Sequence, residues 1–142
     1  MRGAALVLVV AALLAAEANA GAYIVGAGSC ASAPYSTITA AVAAASEGDV
    51  VFACAGTYTE NVAIDKAITL RGAGIEETIV DAASDVTGGV ISITAAGVTL
   101  EHMKITGHGA TGNIGSGVLV KNNGAEATHG NLTFSSLWVT AN

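Results

Sequence analysis

The chain has 142 residues, of which 11 are acidic and 5 basic, and its formal net charge is −6 at pH 7. This charge excludes the strongly basic surface with which most proteins bind nucleic acid, and the length suits a single domain. Hydrophobic residues make up 52% of the chain and charged residues 11%, which is apolar for a soluble protein and indicates a targeting segment.

The first 20 residues have the pattern of a secretory signal peptide. Met1 and Arg2 give a positive start, residues 4–16 form an apolar run, and Ala-Asn-Ala at 18–20 supplies a cleavage pattern before Gly21. A membrane anchor is the alternative, but a run of about 13 residues is shorter than the roughly 20 that a spanning helix needs. We therefore predict cleavage, no membrane span in the mature chain, and export to the medium, the periplasm or the cell surface.

Cys30 and Cys54 are the two cysteines of the chain. An even number of cysteines in an exported protein favours a disulfide, so we predict that they are joined. A metal-binding or catalytic role would need further ligands or a partner base, and neither cysteine has a histidine close to it in the sequence.

Residues 21–49 predict a loop and one short helix. Ala22 to Val25 has the composition of a short strand, and apolar residues then recur at helical spacing, with Ser36 as a plausible N-cap and Gly48 as the stop. The small apolar face of this helix suits a cap over the open end of a stack of strands. Its members are Ile38, Ala41, Val42 and Ala45.

From Val50 onward the pattern predicts only strands and corners. Apolar residues alternate with a period of two in short units, and the three residues between the first two units, 65–67, leave room for a corner but not for a helix. Two-residue breaks at 101–102 and 135–136 predict sharp bends. The units align as three strands per turn in three turns, which indicates a solenoid in residues 50–142. The aligned units are Val62/Ile64, Ile68/Leu70 and Ile79; Ile91/Ile93, Val98/Leu100 and Met103/Ile105; Val118/Val120, Leu132/Phe134 and Leu137/Val139.

One stretch carries a family resemblance: YSTITAAVAAASEGDVVFACAGTYTENVAIDKAITLRGAGIEETIVD. It resembles the N-terminal start of right-handed parallel β-helix proteins of the pectin-lyase-like superfamily, which includes pectinesterases, other secreted polysaccharide-active enzymes and non-enzymatic repeat proteins. The resemblance implies an all-β, right-handed parallel β-helix with a short capping α-helix. It also implies a substrate groove over the first strand of each turn, and it places the family's catalytic residues downstream of this opening block.

In that groove the predicted outward residues are Ala63, Ser92 and Leu119, with Asp65 and Lys121 at the strand ends beside Thr94. We single out Ser92, Asp65 and Lys121 as candidate binding residues. No two carboxylates converge there, although inverting glycosidases place two about 6.5 to 9.5 Å apart.

Asp81 and Asp85 lie in the same corner, next to the predicted groove, and are the only candidate residues for a calcium site. The alternative is that both carboxylates are simply exposed to solvent. We otherwise expect neither a cofactor nor a metal. The histidines are expected to lie on the surface.

A second resemblance concerns Gly107-His108-Gly109 followed by Ile114-Gly115-Ser116-Gly117, which is similar to the GHG and SIGS motifs of polygalacturonases. It implies His108 as a catalytic candidate. The chain departs from that family because the Asn-Thr-Asp and Asp-Asp motifs do not precede His108, and without those acids no group protonates a leaving group.

Two outward columns offer binding surfaces instead. Thr69, Thr99 and Thr133 are expected to stack as a ladder of the kind found in ice-binding solenoids. In the third column Val80, Lys104 and Trp138 are expected to face outward, where Trp138 could stack on a sugar ring or pack beneath a further turn. Asn131-Leu132-Thr133 also fits an N-glycosylation acceptor in a host that uses it.

The leading hypothesis is an exported β-helix module associated with polysaccharide, without a complete active site in these residues. A pectin-active enzyme (polygalacturonase, pectate lyase or pectinesterase type) with its catalytic turns after Asn142 is the first alternative, and a surface or ice-binding module is the second. Because no cap follows the last strand, we expect a truncated chain that self-associates through its third turn.

Overall fold

The computed structural model describes residues 20–26, 30, 32–83, 89–108, 117–121 and 130–141, with only the backbone of His108 and Ala141. The predicted leader, residues 1–20, lies outside this description except for Ala20. The elements are β1 Ala22–Val25, α1 Ile38–Ala44, β2 Val50–Ala53, β3 Gly56–Thr59, β4 Val62–Ile64, β5 Thr69–Gly72, β6 Thr78–Asp81, β7 Ile91–Ile93, β8 Thr99–His108, β9 Val118–Val120 and β10 Thr133–Ala141.

The strands pair in parallel with their counterparts further along the chain, and they form three faces. Face 1 consists of β4, β7 and β9. Face 2 consists of β1, β2, β5 and the first residues of β8 and β10, and face 3 consists of β3, β6 and the later residues of β8 and β10. Parallel pairing requires a crossover between partners. The segment with α1 supplies it between β1 and β2, and strands of the other two faces supply it from β2 onward. The fold is therefore mostly β with parallel sheets, as the solenoid pattern predicted.

The sharp bends predicted at 101–102 and 135–136 lie inside continuous strands. His102 has φ 57° and Ser136 has φ 48°, so one residue in the left-handed region turns each strand from face 2 to face 3. The backbones approach closely beside this bend. A Cβ on Gly72 would clash with the carbonyl oxygen of His102, so the site accepts only glycine.

Alternation along the strands fills the interior with aliphatic side chains. The largest fully buried ones include Ile64, Leu70, Ile93, Leu100 and Ile105. The predicted inward positions are confirmed for these residues, which come from all three faces.

Face 3 differs from the sequence prediction by one residue in β6. Val80 is fully buried and pairs with the inward Ile105, whereas Ile79 is half-buried and pairs with Lys104. The prediction that Val80 faces outward is therefore wrong. Thr78 determines which residues of β6 face inward, because its hydroxyl is buried and donates to the Ala53 carbonyl at 3.0 Å. Val80, two residues later, then faces inward as well.

Helix α1 is held at both ends by side chains that flank β4. Thr37, not Ser36, is the N-cap and accepts from Ala40 N. Glu60 accepts from the backbone N–H groups of Ile38 and Thr39, each at 2.8 Å. Lys66 Nζ donates to the carbonyl of Ala45 at 2.9 Å, and to that of Ala43. A carboxylate at the N-terminus and an ammonium at the C-terminus both complement the helix dipole.

The predicted disulfide is confirmed: Cys30 and Cys54 are bonded. Cys54 follows β2 directly, so the bond ties the segment before α1 to the end of that strand. The Tyr58 hydroxyl donates to the carbonyls of Val25 and Cys54 at 3.1 and 2.9 Å in the same region. In the part of the chain that the structure describes, no helix is long and apolar enough to cross a membrane.

Candidate functional site

Face 1 brings the predicted groove residues into register. Ser92 pairs with Ala63 on one side and with Leu119 on the other. Backbone hydrogen bonds continue one residue past each strand, from Thr94 N to the Ile64 carbonyl and from Lys121 N to the Ile93 carbonyl. These bonds give Asp65, Thr94 and Lys121 equivalent positions on successive coils.

Neighbouring parallel strands lie about 4.8 Å apart, so this row presents an acid, a hydroxyl and an ammonium in order along one edge of face 1. Asp65 and Lys121 are exposed, and the Thr94 hydroxyl faces the Ile64 carbonyl at 3.5 Å. Such a row can bind the hydroxyl and charged groups of an extended ligand. It does not pair two carboxylates.

Three of the carboxylates that the structure describes have structural partners. Glu60 caps α1, and Glu101 binds Arg71 at 2.6 Å. Asp49 accepts from Ser46 N at 2.7 Å and from Gly21 N at 2.6 Å. These backbone hydrogen bonds, from Ser46 first and then Gly21, hold the pKa of Asp49 below its usual value, since they favour the ionised form. Apart from Ser46, which lies three residues from Asp49, these partners are 21 to 30 residues apart, so no local pattern in the sequence marks them.

The acid and histidine candidates are only partly described. Asp81 ends β6, but Asp85 lies outside the described residues, so the calcium candidate remains a prediction. His108 ends β8, and its side chain is likewise outside the description. His102 is about half exposed, with Nδ1 3.8 Å from Glu101 Oε2. Within the described ranges, no three His, Cys, Asp or Glu residues cluster in a way that could hold a metal ion.

The threonine column exists as predicted on face 2. Thr69 pairs with Thr99, and Thr99 with Thr133. However, the next outward column on the same face contains Arg71, Glu101 and Ser135 in register. Arg71 and Glu101 are longer than the threonines and carry charge, so this face is neither flat nor uncharged. It therefore differs from a flat ladder of threonine hydroxyl groups.

Face 3 carries an exposed aromatic residue beside a cation. Trp138 is 44% exposed and pairs with Lys104 on the neighbouring strand. Lys104 Nζ lies 4.9 Å from the centre of the indole ring, within the range of a cation–π contact. Thr140 lies two residues further along β10, and its hydroxyl contacts that of Thr106 at 3.4 Å. An indole, an ammonium and hydroxyls on one surface are groups that can bind a sugar ring.

Comparison with known proteins supports the architecture. No family model matches the sequence, and no curated protein matches it. Among solved structures, the chain is similar to a pectin methylesterase in complex with a hexasaccharide, with a TM-score of 0.56 and 17% sequence identity. The match covers 85% of this chain and 39% of that chain. At this identity the likeness shows the fold alone: a parallel β-helix-like arrangement.

Proposed function

We propose that this chain is an exported, right-handed parallel β-helix module that binds polysaccharide through face 1. The observation that carries the proposal is the likeness of its fold to that of a pectin methylesterase bound to a hexasaccharide. The in-register row of Asp65, Thr94 and Lys121 beside Ser92 supports it, because the row runs across the coils as an extended ligand would.

The finer features of the fold belong to this proposal. Parallel crossovers are right-handed in almost all proteins, which supports the assigned hand. Each face contains at least three strands, which supports three complete turns. Helix α1 contacts β1, β2 and β4 and buries Ile38, Ala41 and Val42, which supports its role as a cap.

Export and cleavage of residues 1–20 are also part of the proposal. The disulfide supports an oxidising compartment, because such bonds persist mainly outside the cytosol. The likeness to a pectin-modifying enzyme agrees with a place at or beyond the cell surface.

A catalytic role is the second candidate. The chain spans 39% of the length of the pectin methylesterase that it resembles in fold, so a longer protein could contain catalytic turns in addition to these coils. We do not favour the ice-binding alternative, because Arg71 and Glu101 interrupt the threonine face.

Binding can be tested on immobilised polysaccharides, acidic and neutral, with the exported protein. Lys121→Gln should weaken retention if face 1 binds, and Trp138→Ala should weaken it if face 3 binds. Arg71→Gln is the matched control, because it removes one positive charge on face 2. Trp138 is the single tryptophan of the chain, so a change in tryptophan fluorescence on adding oligosaccharide would report contact with face 3. A wild-type protein that no polysaccharide retains would refute the proposed function.

A further inference from the structure

Asp49 is a buried carboxylate, and two of its partners, Gly21 and Tyr23, lie where the predicted leader joins the folded chain. Asp49 as a whole residue is 4% exposed. Oδ2 accepts from Ser46 N at 2.7 Å, and Oδ1 accepts from Gly21 N at 2.6 Å. Tyr23 in β1 also hydrogen-bonds to it, and burial together with this negative charge raises the pKa of the Tyr23 hydroxyl. The carboxylate is thus aimed at the first backbone nitrogen of the predicted mature chain.

Gly21 itself is closely fitted. Its carbonyl accepts from Val50 N at 2.9 Å, which continues the pairing of β1 with β2 by one residue. A Cβ at this position would lie 3.0 Å from Tyr23 Cε2 and 3.2 Å from Asp49 Oδ1. Ala20, one residue earlier, is exposed. The bond between Ala20 and Gly21 therefore joins an accessible residue to one held on both of its backbone polar groups.

We propose that hydrolysis of the Ala20–Gly21 bond creates an α-amino group that binds Asp49 and fastens the mature N-terminus to the fold. In this step, which rests on the proposed export, a processing peptidase adds water across the peptide bond. Ala20 leaves with the new carboxylate, and the Gly21 nitrogen takes up protons to become an ammonium.

The contact changes in kind on cleavage. An amide nitrogen donates one hydrogen and carries no charge, whereas an ammonium donates three and is positive. The amide–carboxylate hydrogen bond already gains strength from its ionised acceptor, and the ammonium adds a Coulomb attraction between two opposite charges. The buried carboxylate therefore binds the processed terminus more strongly than the unprocessed chain.

Other titratable groups surround this contact. Tyr23 faces Asp49 from β1, and Tyr35 lies against Tyr23 with ring centres 5.8 Å apart. Glu47 is exposed in the same corner as Asp49, and Lys66 reaches that corner from the end of β4 through its bond to the Ala45 carbonyl. Within the described part of the chain, Asp49 is the charged group that accepts from the Gly21 nitrogen, so its charge is the one that the new amine meets.

The first test uses the protein purified after export. Its N-terminal sequence should begin at Gly21, and its α-amino group should react slowly with an amine-selective acylating reagent near neutral pH. Asp49→Asn should raise that rate about tenfold, as a fall of one unit in the amine pKa would do. Glu76→Gln, which removes an exposed carboxylate elsewhere, should leave the rate unchanged.

The second test is the pH dependence of thermal stability. The carboxylate raises the pKa of the amine above its ordinary range of about 7.7 to 8.0. The stabilisation is then complete below that range and is lost as pH rises through the folded-state pKa. Wild type should lose stability in this alkaline window, and Asp49→Asn should lose less.

The outcomes distinguish the proposed contact with Asp49 from the proposed export and cleavage. Export with cleavage at Gly21, but with equal amine reactivity and equal alkaline profiles in Asp49→Asn, would overturn the contact and leave export standing. Cleavage at another bond would also overturn the contact. A chain that is never exported or cleaved would overturn both.

Discussion

Ile64 and Ala63 are neighbours in β4 whose side chains meet opposite environments. Ile64 is fully buried, whereas Ala63 is exposed. Placing the same residue at both positions therefore compares a buried and an exposed site within one strand.

We expect Ile64→Asp to abolish cooperative unfolding, because an unpaired buried charge costs more than most domains can lose from a stability of about 5 to 15 kcal/mol. Ala63→Asp should change the melting temperature little. Circular dichroism melts of the two variants measure the difference, and equal melting curves would show that the register of face 1 is wrong.

Asp49 also makes a prediction in acid. Its folded-state pKa lies below its ordinary value of 3.8, because backbone N–H groups bind the ionised carboxylate. The stabilisation is present above that ordinary value and is lost as pH falls through the folded-state pKa. Asp49→Asn should therefore flatten the acid limb of a plot of unfolding free energy against pH, measured by denaturant titration. An unchanged limb would contradict the structure at this residue.

At the scale of elements, α1 depends on two side chains from outside the helix. Glu60 and Lys66 flank β4 and bind opposite ends of α1. Glu60→Ala should destabilise the protein by about 1 kcal/mol, the typical effect of losing an N-terminal cap, and Lys66→Ala by about 0.3 to 1 kcal/mol, the typical effect of a cation at a helix C-terminus. Denaturant unfolding of the single and double variants tests this, with Glu76→Ala as the exposed control. Losses no larger than that of the control would show that the helix is held by its apolar face alone.

The elements differ in how far the sequence could predict them. The apolar face of α1 and the inward positions of β4, β7 and β8 follow from periodicity. In each of these segments only one set of regularly spaced positions is apolar, so only that set can face the interior. In β6 both Ile79 and Val80 are apolar, so the alternation allows two phases, and the buried hydroxyl of Thr78 selects between them.

Long-range polar contacts could not be predicted from the sequence for a different reason. Glu60 to Ile38, and Asp49 to Gly21, connect residues 22 and 28 positions apart. Nothing in a local pattern marks such partners. Periodicity therefore predicted the row on face 1 but not the groups that hold α1 and the N-terminal residue.

For the molecule as a whole, the disulfide closes a loop across the start of the fold. The bonded cysteines are 24 residues apart, and closing such a loop stabilises a protein by about 3 kcal/mol in the chain-entropy account. Replacing both cysteines by serine should lower the unfolding free energy by about this amount. Denaturant titration measures it, and alkylation of the unreduced protein should label no thiol.

The opposite end of the described chain makes a prediction about association. Phe134, Trp138 and Val139 in β10 are 44 to 47% exposed, and β10 contains no charged residue. An uncharged edge strand with exposed apolar side chains favours pairing with another chain. We propose that the protein self-associates through this strand. Sedimentation velocity should show larger species with wild type and fewer with Val139→Lys, whereas a monomeric wild type would contradict the proposal.

The bends at His102 and Ser136 also determine where such a chain can change its length. Each bend is one residue inside a continuous strand, so an inserted residue would reverse the facing of every side chain up to the next corner. The corners beside face 1 connect separate strands, and lengthening a loop costs little free energy. We therefore expect added sequence to be tolerated around face 1, so the surroundings of that surface can diversify while the bends within β8 and β10 keep one geometry.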